Sequence, residues 1–222
     1  MGAEGVVKFR AEHERADLPA QRYGELGCKL VAWREIMAMA LLVGQDPLRY
    51  GGAGYGNVSG RIGPPGAPRG ARSMLITGTQ TSGLAHIGLG HLCVVERYDY
   101  ERNWVRSHGP VEPSSESMTH GAIYDLTPAI RFVLHAHSPI IWRRARELHV
   151  PVTDPHVAYG TPEMAREIQR LYTASALSET RIAAMGGHED GVIVFGESAE
   201  RAGQVLLAYL ARGYELTCRA RH

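Results

Sequence analysis

The stretch Phe132-Val133-Leu134-His135-Ala136-His137-Ser138-Pro139 carries the decisive reading of this chain. An apolar run that enters a His-x-His pair is the pattern of a strand end. On a strand, side chains at i and i+2 share a face. His135 and His137 therefore project the same way, at a spacing able to grip one metal ion. Pro139 suits the first turn of a helix, expected over 139–148. Upstream, on a separate element, Glu116 offers a carboxyl group for acid/base work.

Working outward, apolar residues recur at helical spacing over 19–43 (Leu26, Leu30, Trp33, Ile36, Met37, Ala40), with Gly44 and the run Gly51-Gly52-Ala53-Gly54 as the stop. Short strands are predicted over 56–62, 74–77 and 92–98, with a Pro- and Gly-rich hairpin or loop over 63–70. Further helices are predicted over 114–124, with Ser114 or Ser115 as N-cap, over 161–172, and over 198–219 with Ser198 as N-cap. Strands over 131–136 and 191–196 alternate with them. This order implies a three-layer α/β/α sandwich with a mainly antiparallel central sheet. Residues 1–16 read as a polar N-terminal extension, partly disordered, and residues 17–222 as one domain.

The 222 residues carry a formal net charge of +1, so nothing electrostatic favours nucleic acid or an anionic membrane. The longest apolar run, Met37-Ala38-Met39-Ala40-Leu41-Leu42-Val43, is too short to span a bilayer. No charged region followed by an apolar core marks the N-terminus for secretion. Cys28, Cys93 and Cys218 are few and scattered, which fits a reducing compartment and a cytoplasmic protein. The lysines are Lys8 and Lys29 only, in no pocket-like stretch. Schiff-base chemistry therefore lacks a nucleophile, and carbanion chemistry would need a metal.

His188, in the turn Met185-Gly186-Gly187-His188-Glu189-Asp190-Gly191, is the best third metal ligand by position; His156, His120, His91 and His86 compete. Gly56-Asn57-Val58-Ser59 and Ser82-Gly83 read either as ordinary turns or as an anion site. In the second reading, backbone N–H groups, an amide and hydroxyls surround a phosphate without a lysine, and Ser114 and Ser115 join them.

Taken in order, Gly56-Asn57-Val58-Ser59-x-Arg61, Leu75-Ile76-Thr77…Ser82-Gly83, Pro113-Ser114-Ser115-Glu116 with His120, and His135-x-His137-Ser138-Pro139 resemble the class II aldolase/adducin family. Tyr159-Gly160-Thr161 and the strand after His188 fit as well, so the likeness runs over about residues 20–215. The family includes the zinc-dependent L-fuculose-phosphate aldolase and L-ribulose-5-phosphate 4-epimerase. The resemblance implies a homotetramer with sites at subunit interfaces, and zinc or another divalent ion (Mn2+, Co2+ or Fe2+) on His135, His137 and His188. It implies Glu116 as acid/base and Asn57, Ser82, Gly83, Ser114 and Ser115 as phosphate-binding residues. The expected activity is an aldolase-type lyase, working through a metal-stabilised enediolate on a small phosphorylated hydroxy-carbonyl compound. The alternatives are a dehydratase, an epimerase or a decarboxylase on the same metal, or an adducin-head-like module without catalysis. Glu116 favours the aldolase over the epimerase, which has Asp there. Two acidic residues separate His188 from Gly191, where the family commonly has His directly before Gly. The family's catalytic tyrosines have no clear counterpart, since Tyr209 and Tyr214 fall within the closing helix.

Overall fold

A computed structural model describes residues 9–220. In chain order the elements are β1 (Arg10–Arg15), α1 (Ala20–Met39), β2 (Gly44–Gln45), β3 (Gly54–Tyr55), β4 (Asn57–Arg61), β5 (Met74–Thr77), β6 (Leu92–Asp99), β7 (Trp104–Gly109), α2 (Ser117–Tyr124), β8 (Phe132–His137), α3 (Pro139–Arg143), α4 (Pro162–Ala174), α5 (Leu177–Thr180), β9 (Ile182–Ala184), β10 (Gly191–Gly196) and α6 (Ala199–Arg219). Eight strands form one sheet in the order β1-β7-β6-β5-β4-β8-β10-β9. Every pairing is antiparallel except β1 with β7.

Period-two alternation divides the sheet's side chains between two cores. Leu134, Ala136, Val58, Leu75, Val94, Val192 and Val194 pack with Leu30 and Met37 of α1, Ile141 of α3 and Leu206 of α6. On the other face Val133, Ile76, Val95, Ile193 and Phe195 meet Met118 and Ile123 of α2, Ile168 of α4 and Leu177 of α5. Helices thus cover both faces, which is the expected α/β/α sandwich.

Several boundaries move from their expected places, each for a local reason. Arg10–Arg15 leaves the expected polar extension and pairs in parallel with β7; its mostly exposed Arg-Ala-Glu-His-Glu-Arg sequence suits a charged edge strand. α1 ends at Met39 rather than continuing to residue 43, because Leu41 takes the left-handed backbone at φ 58°. Leu42 and Val43 are instead buried in the first core. α3 spans only Pro139–Arg143, shorter than the expected 139–148. α2 starts at Ser117 rather than 114, with Glu116 at the cap position. β5 and β10 occupy the predicted residues.

Candidate metal centre and anion cleft

β8 lies between β4 and β10, and its register builds the site. His135 stands opposite Ile193 of β10 and Asn57 of β4, and His137 opposite Gly191. Both imidazoles project from the face that carries Val133. Gly56, at φ 78°, lets the chain pass close to this strand: a Cβ there would lie 2.9 Å from Val43 Cβ and 3.1 Å from the His135 carbonyl oxygen. His188 arrives from a tight turn in which its N–H donates to the Met185 carbonyl and its own carbonyl accepts from Gly191 N–H.

The result is a three-histidine cluster. His135, His137 and His188 each offer a ring nitrogen, and those nitrogens lie within 4.8 Å of one another. All three residues are buried. The rings of His135 and His188 stack at 5.0 Å, while His137 meets both nearly edge-on. Tyr159 stacks on the far side of His188 at 4.4 Å. Burial, reinforced by the neighbouring His188, pushes both His135 and His137 well below the ordinary imidazole pKa and so holds them neutral.

These residues fit a divalent ion. The Nδ1–H of His135 donates to the Val192 carbonyl at 3.1 Å, which fixes the tautomer and leaves Nε2 with its lone pair exposed toward the cluster. That Nε2 is buried and has no hydrogen-bond partner among the described residues. A buried acceptor without a donor is costly, and a metal ion would satisfy it. Three nitrogen ligands would also leave coordination positions open on a tetrahedral ion.

Glu116 completes the core of the site. It is buried, and its Oε1 lies 3.7 Å from His188 Nδ1. Glu116, His135, Asn57, Ser82, Ser114 and Ser115 line one narrow cleft, together with Gly54, Gly56, Gly78, Thr79 and Gln80. Among the described residues no cationic side chain lines it, so an anion there would rest on neutral donors. Ser114 Oγ accepts from the Glu116 N–H at 3.3 Å, and Ser82 Oγ donates to the Gly56 carbonyl at 3.0 Å. Behind the cleft, the buried Arg34 clamps the turn at Ser82, donating to the Ser82 and Leu84 carbonyls at 2.8 and 2.5 Å.

One expected member is absent from this lining. Gly83 packs on Gln45, whose side-chain oxygen would overlap a Cβ at that position. Thr79 and Gln80 line the cleft without having been expected, as does Gly78. A second group, also unexpected, flanks His137: the rings of Tyr50 and Tyr55 lie 4.6 and 5.3 Å from it. Neither had a motif to reveal it. The competing histidines fall elsewhere. His120 is buried one turn beyond Glu116, bonded through Nδ1 to Ser59 Oγ, and burial pushes its pKa down to about 3. His86, His91 and His156 lie outside the cluster.

The fold is a mainly antiparallel α/β/α sandwich with a buried cluster of three histidines at a strand end. The family model for the class II aldolase and adducin N-terminal domain matches residues 34–212, and the chain belongs to that family. No curated protein matches the chain by sequence. Among solved structures, L-fuculose-1-phosphate aldolase from Thermus thermophilus is 21% identical, with a TM-score of 0.62 over 89% of this chain and 95% of its own. YgbL from Escherichia coli is 16% identical, with a TM-score of 0.63 over 87% of this chain and 89% of its own. A sugar-phosphate aldolase from Thermotoga maritima is 15% identical, with a TM-score of 0.61 over 88% and 96%. At these identities the likeness is one of fold. No helix among the described residues is long and apolar enough to cross a membrane.

Proposed function

We propose that this protein is a divalent-metal-dependent lyase that breaks or forms a C–C bond next to a hydroxy-carbonyl group on a small phosphorylated substrate. The observation that supports it most is the buried cluster of His135, His137 and His188 beside a cleft that joins Glu116 to neutral anion donors. The family, and the aldolases that share the fold, support the same reading.

When bound, zinc or a similar ion (Mn2+, Co2+ or Fe2+) supplies the positive charge that stabilises negative charge developing on the hydroxy-carbonyl group. Asn57, Ser82, Ser114 and Ser115 hold the phosphate and set the reacting carbons beside the three histidines. Glu116 takes up and returns the proton at its carboxyl oxygens, next to His188. Burial keeps bulk water from this carboxyl group, so the proton passes between substrate and Glu116. His135, oriented by the Val192 carbonyl, keeps the ligand geometry through the cycle.

We also propose a cytoplasmic homotetramer acting in carbohydrate metabolism. The exposed apolar side chains Met39, Leu41 and Leu48 support a subunit contact; light scattering would check the assembly.

The test pairs metal analysis with turnover. The purified protein should hold one divalent ion per chain, and cleavage of sugar phosphates should be lost on chelation and restored by zinc. Glu116→Gln should keep the ion and lose turnover. If zinc neither binds nor is weakened by His135→Ala, the metal reading fails. Metal binding without turnover on phosphorylated hydroxy-carbonyl compounds would point to the dehydratase, epimerase or decarboxylase alternatives, or to a non-catalytic module.

A further inference from the structure

The metal centre has two unlike flanks. His135 borders the anion cleft, which takes one end of a substrate; His137 does not line that cleft. His137 is bordered instead by Tyr50 and Tyr55, with the Arg49 guanidinium over both rings at 4.9 and 4.6 Å.

Arg49 donates to the Tyr55 hydroxyl at 3.1 Å and to the Tyr50 hydroxyl at 2.6 Å, and Tyr50 donates onward to Asp190 Oδ2 at 2.8 Å. Two of these residues hold backbone conformations that non-glycine residues rarely adopt: Tyr50 at φ 50° and Asp190 at φ 59°. Such strain persists where surrounding contacts enforce it, and it clusters at ligand sites. The Asp190 backbone is tied in as well, its carbonyl accepting from Ser138 N–H at 2.7 Å, one residue past His137. Asp190 is 4% exposed, and its other carboxyl oxygen, Oδ1, is buried without a hydrogen-bond partner among the described residues. An acceptor built into a buried network and left without a donor calls for one from outside.

We propose that Asp190 Oδ1 accepts a hydrogen bond from a hydroxyl of the substrate fragment opposite the phosphate, making Asp190 a specificity-determining residue for hydroxylated aldehydes. The inference rests on the metal-centre reading above. A carboxyl oxygen selects a donor and disfavours an anion, so this flank suits a polyhydroxy fragment and the cleft suits the phosphate. Tyr50 and Arg49 are positioning residues that hold the carboxyl group in place. A site built to bond a hydroxyl rejects the analogue lacking it far more strongly than an apolar pocket rejects an extra methylene.

The test uses cobalt-loaded protein and two chelating probes of the same hand, D-glycerate and D-lactate, which differ by one hydroxyl. Binding is read from the visible cobalt spectrum, without turnover. The wild type should prefer glycerate by about tenfold or more. Asp190→Asn and Tyr50→Phe should lose that preference while the ligand-free cobalt spectrum and cobalt affinity stay unchanged. Equal binding of the two probes by wild type, or a preference that survives both substitutions, would overturn the role of Asp190 and leave the metal centre standing. Loss of cobalt binding in Asp190→Asn would make Asp190 part of the metal site and equally overturn the proposal. Failure of the wild type to bind cobalt would bring down the metal reading and this one with it.

Discussion

The two faces of the central sheet are built from the same alternating strands and meet different demands. Toward α1, α3 and α6, the sheet presents aliphatic side chains such as Leu75, Val94, Leu134 and Val192, and these need only volume-matched partners. Toward α2 and α4, the same strands present Ser59, His135 and His137 among the apolar residues, and here each polar atom needs a defined partner. Ser59 Oγ illustrates this, sitting 2.7 Å from both His120 Nδ1 and the Tyr124 hydroxyl. The first face is governed by packing and the second by hydrogen bonding and ligation. Position along a strand therefore decides chemistry one residue at a time: Leu134 and His135 are neighbours in sequence with opposite duties.

Four substitutions or conditions probe this division, taken from the largest expected effect. His137→Ala should weaken metal binding by more than about 100-fold while leaving the far-ultraviolet circular dichroism in place, because its neighbours Ala136 and Leu134 are untouched. Unchanged metal content would erase the distinction between the faces. Leu134→Ala, at a fully buried position, should lower stability by roughly 2–5 kcal/mol in urea unfolding and leave the metal content of the folded protein unchanged.

The third test is pH. Burial depresses His120, His135 and His137 in the folded state, from a starting value of 6.5. Their contribution is fully present above that value and is lost as pH falls, since the unfolded chain takes up protons that the folded one refuses. The metal-free protein should therefore lose stability below about pH 6.5, with about 1.4 kcal/mol per pH unit coming from His120. His120 continues this loss down to about 3. Urea titrations at pH 7 and pH 5 measure the slope; His120→Gln should flatten it and Leu134→Ala should not. The smallest effect is expected for Ser59→Ala, which strands His120 Nδ1 and leaves the Tyr124 hydroxyl only the Arg131 carbonyl at 3.5 Å, at a cost of about 1–3 kcal/mol. A neutral result there would show that the second face tolerates lost hydrogen bonds as readily as the first tolerates small volume changes.

What was legible beforehand follows the same line. Strands β5, β8 and β10 were readable because both of their faces are buried, so apolar runs announce them. β1 was not, because an edge strand of charged residues carries no apolar signal, and β7 (Trp-Val-Arg-Ser-His-Gly) carries only a weak one. His135, His137 and Glu116 stood out because each lies in a compact local motif. His188 needed the turn geometry that brings it to the same point. Tyr50 and Asp190, which are 140 residues apart, meet only through the tertiary fold, and no local spacing encodes that meeting. Gly83 packs on Gln45 while its neighbour Ser82 lines the cleft, a division that the Ser-Gly pair by itself does not reveal.

The placement of β8 has a consequence in time as well as in space. It is an interior strand, hydrogen-bonded along both edges by β4 and β10, so its backbone amides should be among the last to exchange with heavy water, opening only when the whole domain unfolds. Tyr50 lies in a single 3-10 turn, Tyr50–Gly52, outside the main sheet, and the amides there should open sooner. His135 and His137 would therefore keep their positions through many cycles of metal loss and return.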